Sequence, residues 1–218
     1  MTTTAPTTAK PSKKHDKRPS DEFVDYVLEL CQTKKTRADL RTGLGLPVDR
    51  CNYLHRYLVP WTSPRMHPDA KRALYAVAAL IAARPRSTRE DRARDADDPA
   101  PAPDGYKREN LGASLAHAVR RDVIKPASAE SELHLMARQS SEAIHPRLPA
   151  LTRHLLTGGI DIDWAVLLED LTWWNRDRDR VATRWLESYF RLVDAEDAED
   201  DPDGGHDGSI DTSIPDGL

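Results

Sequence analysis

The sequence predicts an all-α protein, a helical bundle of about eight helices. Apolar residues recur at helical spacing, proline or glycine separates these segments, and no stretch shows the strict alternation of a β-strand. The clearest pattern follows the i, i+3, i+4, i+7 rule and consists of Ala70, Ala73, Leu74, Val77, Ala78 and Ile81. We therefore expect one bundle or two sub-bundles joined by a loop.

Proline and capping residues set the expected helix ends in the first half. Ser20 is the predicted N-cap of the first helix, and a short helix is expected over residues 36–42. Pro47 is expected to open another helix, which Pro60 would end. A long helix should run over residues 68–84, with Pro68 in its first turn.

In the second half, Ser128 and Asp163 are the predicted N-caps of two further helices. The last helix is expected over residues 177–193. The buried face of the helix after Asp163 should consist of Trp164, Leu167, Leu168 and Leu171, and that of the last helix of Val181, Trp185, Tyr189 and Leu192.

Charge and composition divide the chain into five segments. Residues 1–19 are predicted to be a disordered basic tail, and residues 194–218 a disordered acidic tail with ten acids and one arginine across 191–218. Residues 86–105 are polar and proline-containing, and we expect a flexible loop there. Helical parts over residues 20–85 and 106–193 remain. The net charge of −4 therefore averages unlike segments.

The sequence predicts a cytoplasmic protein that does not contact a membrane. No apolar run reaches the ~18–20 residues that a bilayer-spanning helix needs, and the N-terminus has no signal-peptide core. Cys31 and Cys51 lie in helical patterns, where buried small side chains are expected rather than a disulfide.

No catalytic constellation stands out, so we expect neither an enzyme nor a cofactor or metal site. The sequence lacks a glycine-rich phosphate loop and a zinc-binding histidine pattern. Asp161 and Asp163 are better explained by a turn and a helix cap than by half of a metal site. His117, His134 and His154 lie at or beside apolar faces, where structural histidines are expected. A metal-dependent phosphohydrolase remains a remote third possibility.

Arginine-rich helix faces indicate contact with phosphates. Arg37 and Arg41 share one helix face, and Arg176, Arg180 and Arg184 are spaced four residues apart. Nearby candidates are Lys71, Arg72, Arg120, Arg121 and Arg178. Such rows can follow a nucleic-acid backbone, but surface helices commonly carry arginine, and Asp177, Asp179 or Glu187 can pair with the last row. A helical protein–protein adaptor therefore stays open.

Tryptophan clusters in the last two helices. Trp164, Trp173, Trp174 and Trp185 are expected mainly to form core. Trp173 and Trp174 are adjacent on a helix and cannot both point inward. One of them should face a partner subunit or a base.

Four elements, in order, resemble the CasB small subunits of type I-E CRISPR Cascade complexes. They are Arg37–Arg41 followed by Gly43, the stretch from Asn110 to Leu115, the stretch from Glu130 to Arg138, and an Asp-Trp…Trp-Trp element from Asp163 to Trp174 that precedes a basic stretch. The similarity spans roughly residues 21–193 and leaves out both tails and the loop.

The resemblance implies a non-catalytic subunit of a ribonucleoprotein that acts in antiviral defence. It implies partners in the CRISPR RNA, the target DNA, the displaced strand, the other Cascade subunits and a second copy of this chain. In such complexes base pairing supplies specificity, and protein contacts favour strand exchange. The nucleic-acid-binding residues that it favours are Arg37, Arg41, Arg120, Arg121, Arg138, Arg176, Arg178 and Arg180, with Lys71 and Arg72 as weaker candidates.

Overall fold

A computed structural model of the chain describes residues 17–85 and 108–200, with side chains up to residue 195. Within these ranges the chain forms ten α-helices and two short 3-10 helices and contains no strand, so the predicted all-α fold is confirmed. The predicted loop and most of both predicted tails lie outside the described residues, so the division into two helical parts at residues 86–105 stays a prediction.

The helices follow one another in two groups. The first group consists of α1 (Pro19–Leu30), α2 (Lys34–Arg41), α3 (His55–Leu58) and α4 (Pro68–Ala82), with 3-10 helices at Val48–Arg50 and Val59–Trp61. The second consists of α5 (Leu111–Arg120), α6 (Pro126–Ala137), α7 (Ser141–Ile144), α8 (Leu148–Thr157), α9 (Trp164–Trp173) and α10 (Arg178–Asp200).

Two predicted N-caps are wrong because a proline starts the helix earlier. Arg18 precedes α1, and the Ser20 hydroxyl instead donates a hydrogen bond to Glu169 on α9. Lys125 precedes α6, whose first residue is Pro126, so Ser128 lies inside the helix. In both cases the fixed φ of proline favours the first helical position over a serine cap further on.

The single helix expected between Pro47 and Pro60 is also wrong. A 3-10 turn follows Pro47, the four-residue α3 begins at His55, and Pro60 lies inside the second 3-10 helix. These short pieces bury Leu54 and Leu58 completely. The core therefore holds this segment even though it lacks a continuous helix.

Helix α4 lies at the centre of the bundle. It buries the predicted face except Ala70, which is only partly buried, and it also buries Tyr75, Ala79, Leu80 and Ala82. The helix is therefore enclosed on most sides. Helices α1, α2, α8 and α9 pack against it. The alanine-rich sequence suits this position because small side chains let neighbouring helices approach closely.

Helix α9 joins the two halves of the sequence. Its N-cap is Asp163, as predicted, whose carboxylate accepts hydrogen bonds from the backbone N–H groups of Ala165 (3.1 Å) and Val166 (3.0 Å). Its predicted apolar face is buried, and the helix packs on α4 and α1. One continuous hydrophobic core therefore includes residues from both halves.

Helix α10 packs along α5 and α6. Val181, Trp185 and Tyr189 are buried as predicted, and Leu192 is partly buried. The helix continues past the predicted end at Val193 to Asp200.

A cluster of charged side chains fastens α1 and α9 to the segment before α5. The Arg108 guanidinium binds two carboxylates, those of Asp21 (2.7 and 3.1 Å) and Asp163 (2.8 and 2.9 Å). Arg18 adds a contact of 3.1 Å to Glu169. Arg108 therefore stabilises the fold, and its donors are occupied by these two carboxylates.

Candidate nucleic-acid interface

Helix α2 presents the most basic surface of the first half. Lys34, Lys35 and Arg41 are exposed and Arg37 is partly exposed, while Leu40 is the buried residue of this helix. Within the described residues none of these four cations forms an ion pair. We call this surface the α2 face. Its N–H donors are available to an external anion. Binding of nucleic acid by Arg37 and Arg41 stays a prediction.

Lys71 and Arg72, adjacent in α4, have different surroundings. Lys71 is partly exposed and forms no ion pair with the described residues. Arg72 binds the buried Asp69 (2.7 Å), the Ser141 hydroxyl (3.0 Å) and Glu142 (2.9 Å). These contacts link α4 to α7, and they leave Arg72 fewer N–H donors for a phosphate.

The network around Arg72 extends to the turn after α9. Asn175 donates a hydrogen bond to Asp69 (3.1 Å), and its side-chain oxygen accepts one from the backbone N–H of Ser141 (2.8 Å). His145 is buried beside Ser141, and this burial lowers the pKa of His145. Its ring stays neutral near pH 7, so it adds no positive charge to the interface.

Arg120, Arg121 and Arg138 lie at the ends of two neighbouring helices. All three are exposed. Arg121 donates a hydrogen bond to the backbone oxygen of Gly159 (2.9 Å), which orients its side chain without neutralising its charge. Arg138 has no ion-pair partner within the described ranges.

The arginines after α9 are only partly free to meet an external phosphate. Arg176 lies in the turn before α10, with its guanidinium carbon 4.7 Å from the centre of the Trp173 ring. Arg178 lies 3.5 Å from Asp179, and Arg180 lies 3.6 Å from Asp177. The sequence anticipated such acidic partners, and they weaken the field that this row can exert on a phosphate.

The adjacent tryptophans point in opposite directions, as predicted. Trp174 is fully buried and donates its indole N–H to the backbone oxygen of Gln139 (2.9 Å), and its ring centre lies 4.8 Å from that of Trp185. Trp173 is 49% exposed beside a groove of about 520 Å³ that Arg180 and Arg184 also border. Trp173 is therefore the member of the pair that can meet a partner.

A buried carboxylate below this groove was not foreseen from the sequence. Asp170 accepts a hydrogen bond from the Trp185 indole N–H (2.6 Å) and binds the Arg184 guanidinium. Burial raises the pKa of Asp170 to about 6, although both contacts favour its ionised form. Arg184 is therefore paired with a buried acid although half of its side chain is exposed, and no local sequence pattern could indicate this pairing.

The described part of the chain has no group of three or more histidine, cysteine, aspartate or glutamate side chains arranged to hold a metal ion. Cys31 and Cys51 are buried, as predicted, and neither forms a disulfide within the described residues. Among the described helices, none combines the length and the apolar character needed to cross a bilayer.

Comparison with known proteins identifies an all-helical class of CRISPR-associated proteins. Residues 36–190 match the family described as CRISPR-associated protein Cse2. The chain belongs to the Cse2 family.

Several solved structures resemble the chain. One is described as "CRISPR RNA-guided surveillance complex" and another as "CRISPR RNA-guided surveillance complex, pre-nicking". They share 34% and 36% sequence identity with it, both with a TM-score of 0.69, and the match covers 83% of this chain and 96% and 97% of theirs. CasB from M. ruber is 26% identical with a TM-score of 0.65, over 83% of this chain and 97% of that one. No curated protein matches the chain.

Proposed function

We propose that this chain is the small subunit of a type I-E CRISPR surveillance complex. In that role it binds the backbones of the guide RNA–target DNA hybrid and of the displaced strand without reading sequence, and so stabilises the opened target in antiviral defence. It performs no reaction. Membership of the Cse2 family and the likeness to chains of RNA-guided surveillance complexes support this assignment.

The α2 face is the observation that carries the proposal. Four cations lie on one short helix without ion pairs to the described residues, so binding a phosphate there breaks no internal contact. Arg37 and Arg41 are one helical turn apart and can donate to neighbouring phosphates. Because such contacts release counterions, binding should weaken steeply as salt is added.

The remaining candidates differ in how freely they can contribute. Lys71 and Arg138 are unpaired within the described ranges, and Arg121 keeps its full charge. Arg178 and Arg180 must share their charge with Asp179 and Asp177. We expect the first group and the α2 face to provide most of the affinity.

The other Cascade subunits and a second copy of this chain are the proposed protein partners. One observation also favours the alternative of an adaptor without nucleic-acid contact. Trp173 is half exposed beside a groove whose arginines are largely paired with acids, and aromatic residues of this kind are enriched at protein–protein interfaces.

A salt titration with matched variants tests the proposal. Fluorescence anisotropy of labelled single-stranded and duplex DNA and RNA should show sequence-indifferent binding that weakens with salt. The double variant Arg37→Glu/Arg41→Glu should reduce affinity at least tenfold at low salt. The control Arg65→Glu/Arg153→Glu makes the same change in charge at two exposed arginines outside the predicted set and should have a much smaller effect. Equal effects of the two double variants would favour the adaptor.

A further inference from the structure

The four-residue helix α3 is anchored on several sides. Leu58 is fully buried in the core. His55 Nδ1 lies 2.7 Å from the hydroxyl of Tyr75 on α4, and the Tyr26 hydroxyl of α1 donates to the Tyr57 backbone oxygen (2.8 Å). Such a short helix has little stability of its own, so these contacts fix its position and the direction of its exposed side chains.

Tyr57 connects α3 to the α2 face. Its hydroxyl donates a hydrogen bond of 2.7 Å to the Asp39 carboxylate on α2 and lies beside Thr36, and the bond to Asp39 raises the pKa of Tyr57. Asp39 follows Lys35 by four residues, a spacing at which opposite charges pair along a helix. In the structure this pair is not formed, because the Asp39 carboxylate is bound by Tyr57 instead.

Arg56 is the exposed cation that this arrangement places near α2. Its guanidinium carbon lies 5.5 Å from the centre of the Tyr57 ring, within the range of a cation–π contact. Across the described residues, Arg56 has no carboxylate partner. The ring restrains the side chain while its N–H donors stay free, which suits an arginine that binds phosphate.

We propose that Arg56 is a further phosphate-binding residue of the α2 face and that Tyr57 is a positioning residue for this face. Tyr57 holds the Asp39 carboxylate toward α3, so that Asp39 does not neutralise Lys35. The ligand is the phosphodiester backbone of a nucleic acid. This inference rests on the proposed function and deepens it, because it joins a second element to the binding surface.

The salt dependence of binding tests Arg56. For single-stranded DNA, the slope of log K against log salt concentration falls by about 0.7 for each phosphate contact that is lost. Arg56→Gln should lower the slope by about that amount in the full-length protein. Arg65→Gln, at another exposed arginine without an ion pair in the described part, is the matched control and should leave the slope unchanged.

A double-mutant comparison tests Tyr57. Tyr57→Phe keeps the ring beneath Arg56 but removes the hydroxyl, so the freed Asp39 carboxylate should pair with Lys35 and weaken binding about two- to fivefold. Asp39→Asn should bind somewhat more tightly than the wild type. Tyr57→Phe/Asp39→Asn should restore at least wild-type affinity, because the loss acts through the Asp39 charge, whereas a general distortion of α3 would not be rescued.

An unchanged slope for Arg56→Gln, or failure of Asp39→Asn to rescue Tyr57→Phe, would overturn the inference. If the Arg37/Arg41 variant still shows its tenfold loss, the proposed function survives that outcome. Absence of binding by the wild-type chain at low salt would overturn both.

Discussion

Gly112 of α5 lies directly against the backbone of Trp185 on α10. A Cβ atom built on Gly112 would lie 1.9 Å from the carbonyl oxygen of Trp185, 2.6 Å from its carbonyl carbon and 2.8 Å from its Cα. The obstacle is backbone, which cannot rotate away as a side chain can. The two helices therefore approach each other at a distance that only glycine permits at this position.

Gly112→Ala should destabilise the protein by about 1–3 kcal/mol, since forced separation of the helices outweighs the gain of about 0.5–1 kcal/mol that alanine brings to a helix. Urea denaturation followed by circular dichroism would measure the loss. Ser131→Ala, at an exposed site on α6, should change stability by less than about 0.5 kcal/mol. Equal midpoints for the wild type and Gly112→Ala would contradict the close approach.

Arg108→Ala should cost about 2 kcal/mol of unfolding free energy. The substitution leaves the partly buried Asp21 and Asp163 carboxylates without the donor that binds both. Arg191→Ala breaks an exposed pair with Glu187 and should cost less than about 0.5 kcal/mol. Similar losses for the two variants would show that the Arg108 cluster adds little to the contact between α1 and α9.

The adjacent tryptophans should respond differently to truncation. Trp174→Ala should lose about 3–5 kcal/mol because it removes a fully buried ring, whereas Trp173→Ala should change stability by about 1 kcal/mol or less. Chemical denaturation of both variants checks this contrast. If Trp174→Ala does not fold, Trp174→Phe, which lacks the donor to Gln139, should still be less stable than Trp173→Phe. The reverse order would contradict the assigned orientation.

Local patterns predicted the parts of the fold that depend on neighbouring residues. Asp163 caps α9 because its carboxylate reaches N–H groups two and three residues away, a geometry contained in the sequence itself. The buried faces of α4 and α9 likewise follow from helical periodicity. Ser20 is not the cap because Pro19 starts the helix one residue earlier. The contact that its hydroxyl makes instead, with Glu169, joins residues distant in sequence and could not be predicted from local patterns.

The candidate site was predicted less completely for the same reason. The spacing of Arg37 and Arg41 is local, and helix α2 forms where the sequence placed it. The ion pairs of Arg72 and Arg108, and the hydrogen bond by which Tyr57 joins α3 to α2, arise from contacts between residues far apart in the chain. Charge and spacing alone cannot separate an arginine that faces solvent from one that binds a buried acid.

Asp170 should make stability depend on pH. Its pKa is raised to about 6 in the folded protein and is about 3.9 in an unfolded chain, so between these values the folded state binds more protons. The unfolding free energy should therefore fall as pH rises from about 4 to 6, by up to about 3 kcal/mol.

Asp170→Asn should remove this part of the pH dependence. Urea denaturation of the wild type and the variant at several pH values from 4 to 7 checks this. The unfolding free energy of the variant should change less steeply with pH. Asp49→Asn, at an exposed carboxylate, is the matched control and should run parallel to the wild type. Parallel curves for Asp170→Asn and the wild type would contradict the assignment.

The most direct test of whether this chain binds nucleic acid inside a surveillance complex is to measure how stably the complex holds its opened target. The measurement is the dissociation rate of labelled target duplex from a reconstituted complex that contains the wild-type chain, Arg37→Glu/Arg41→Glu or Arg65→Glu/Arg153→Glu. We predict that all three chains are incorporated equally, and that target DNA leaves the Arg37/Arg41 complex at least several times faster than the other two. Equal dissociation rates for the three complexes would contradict backbone binding by the α2 face.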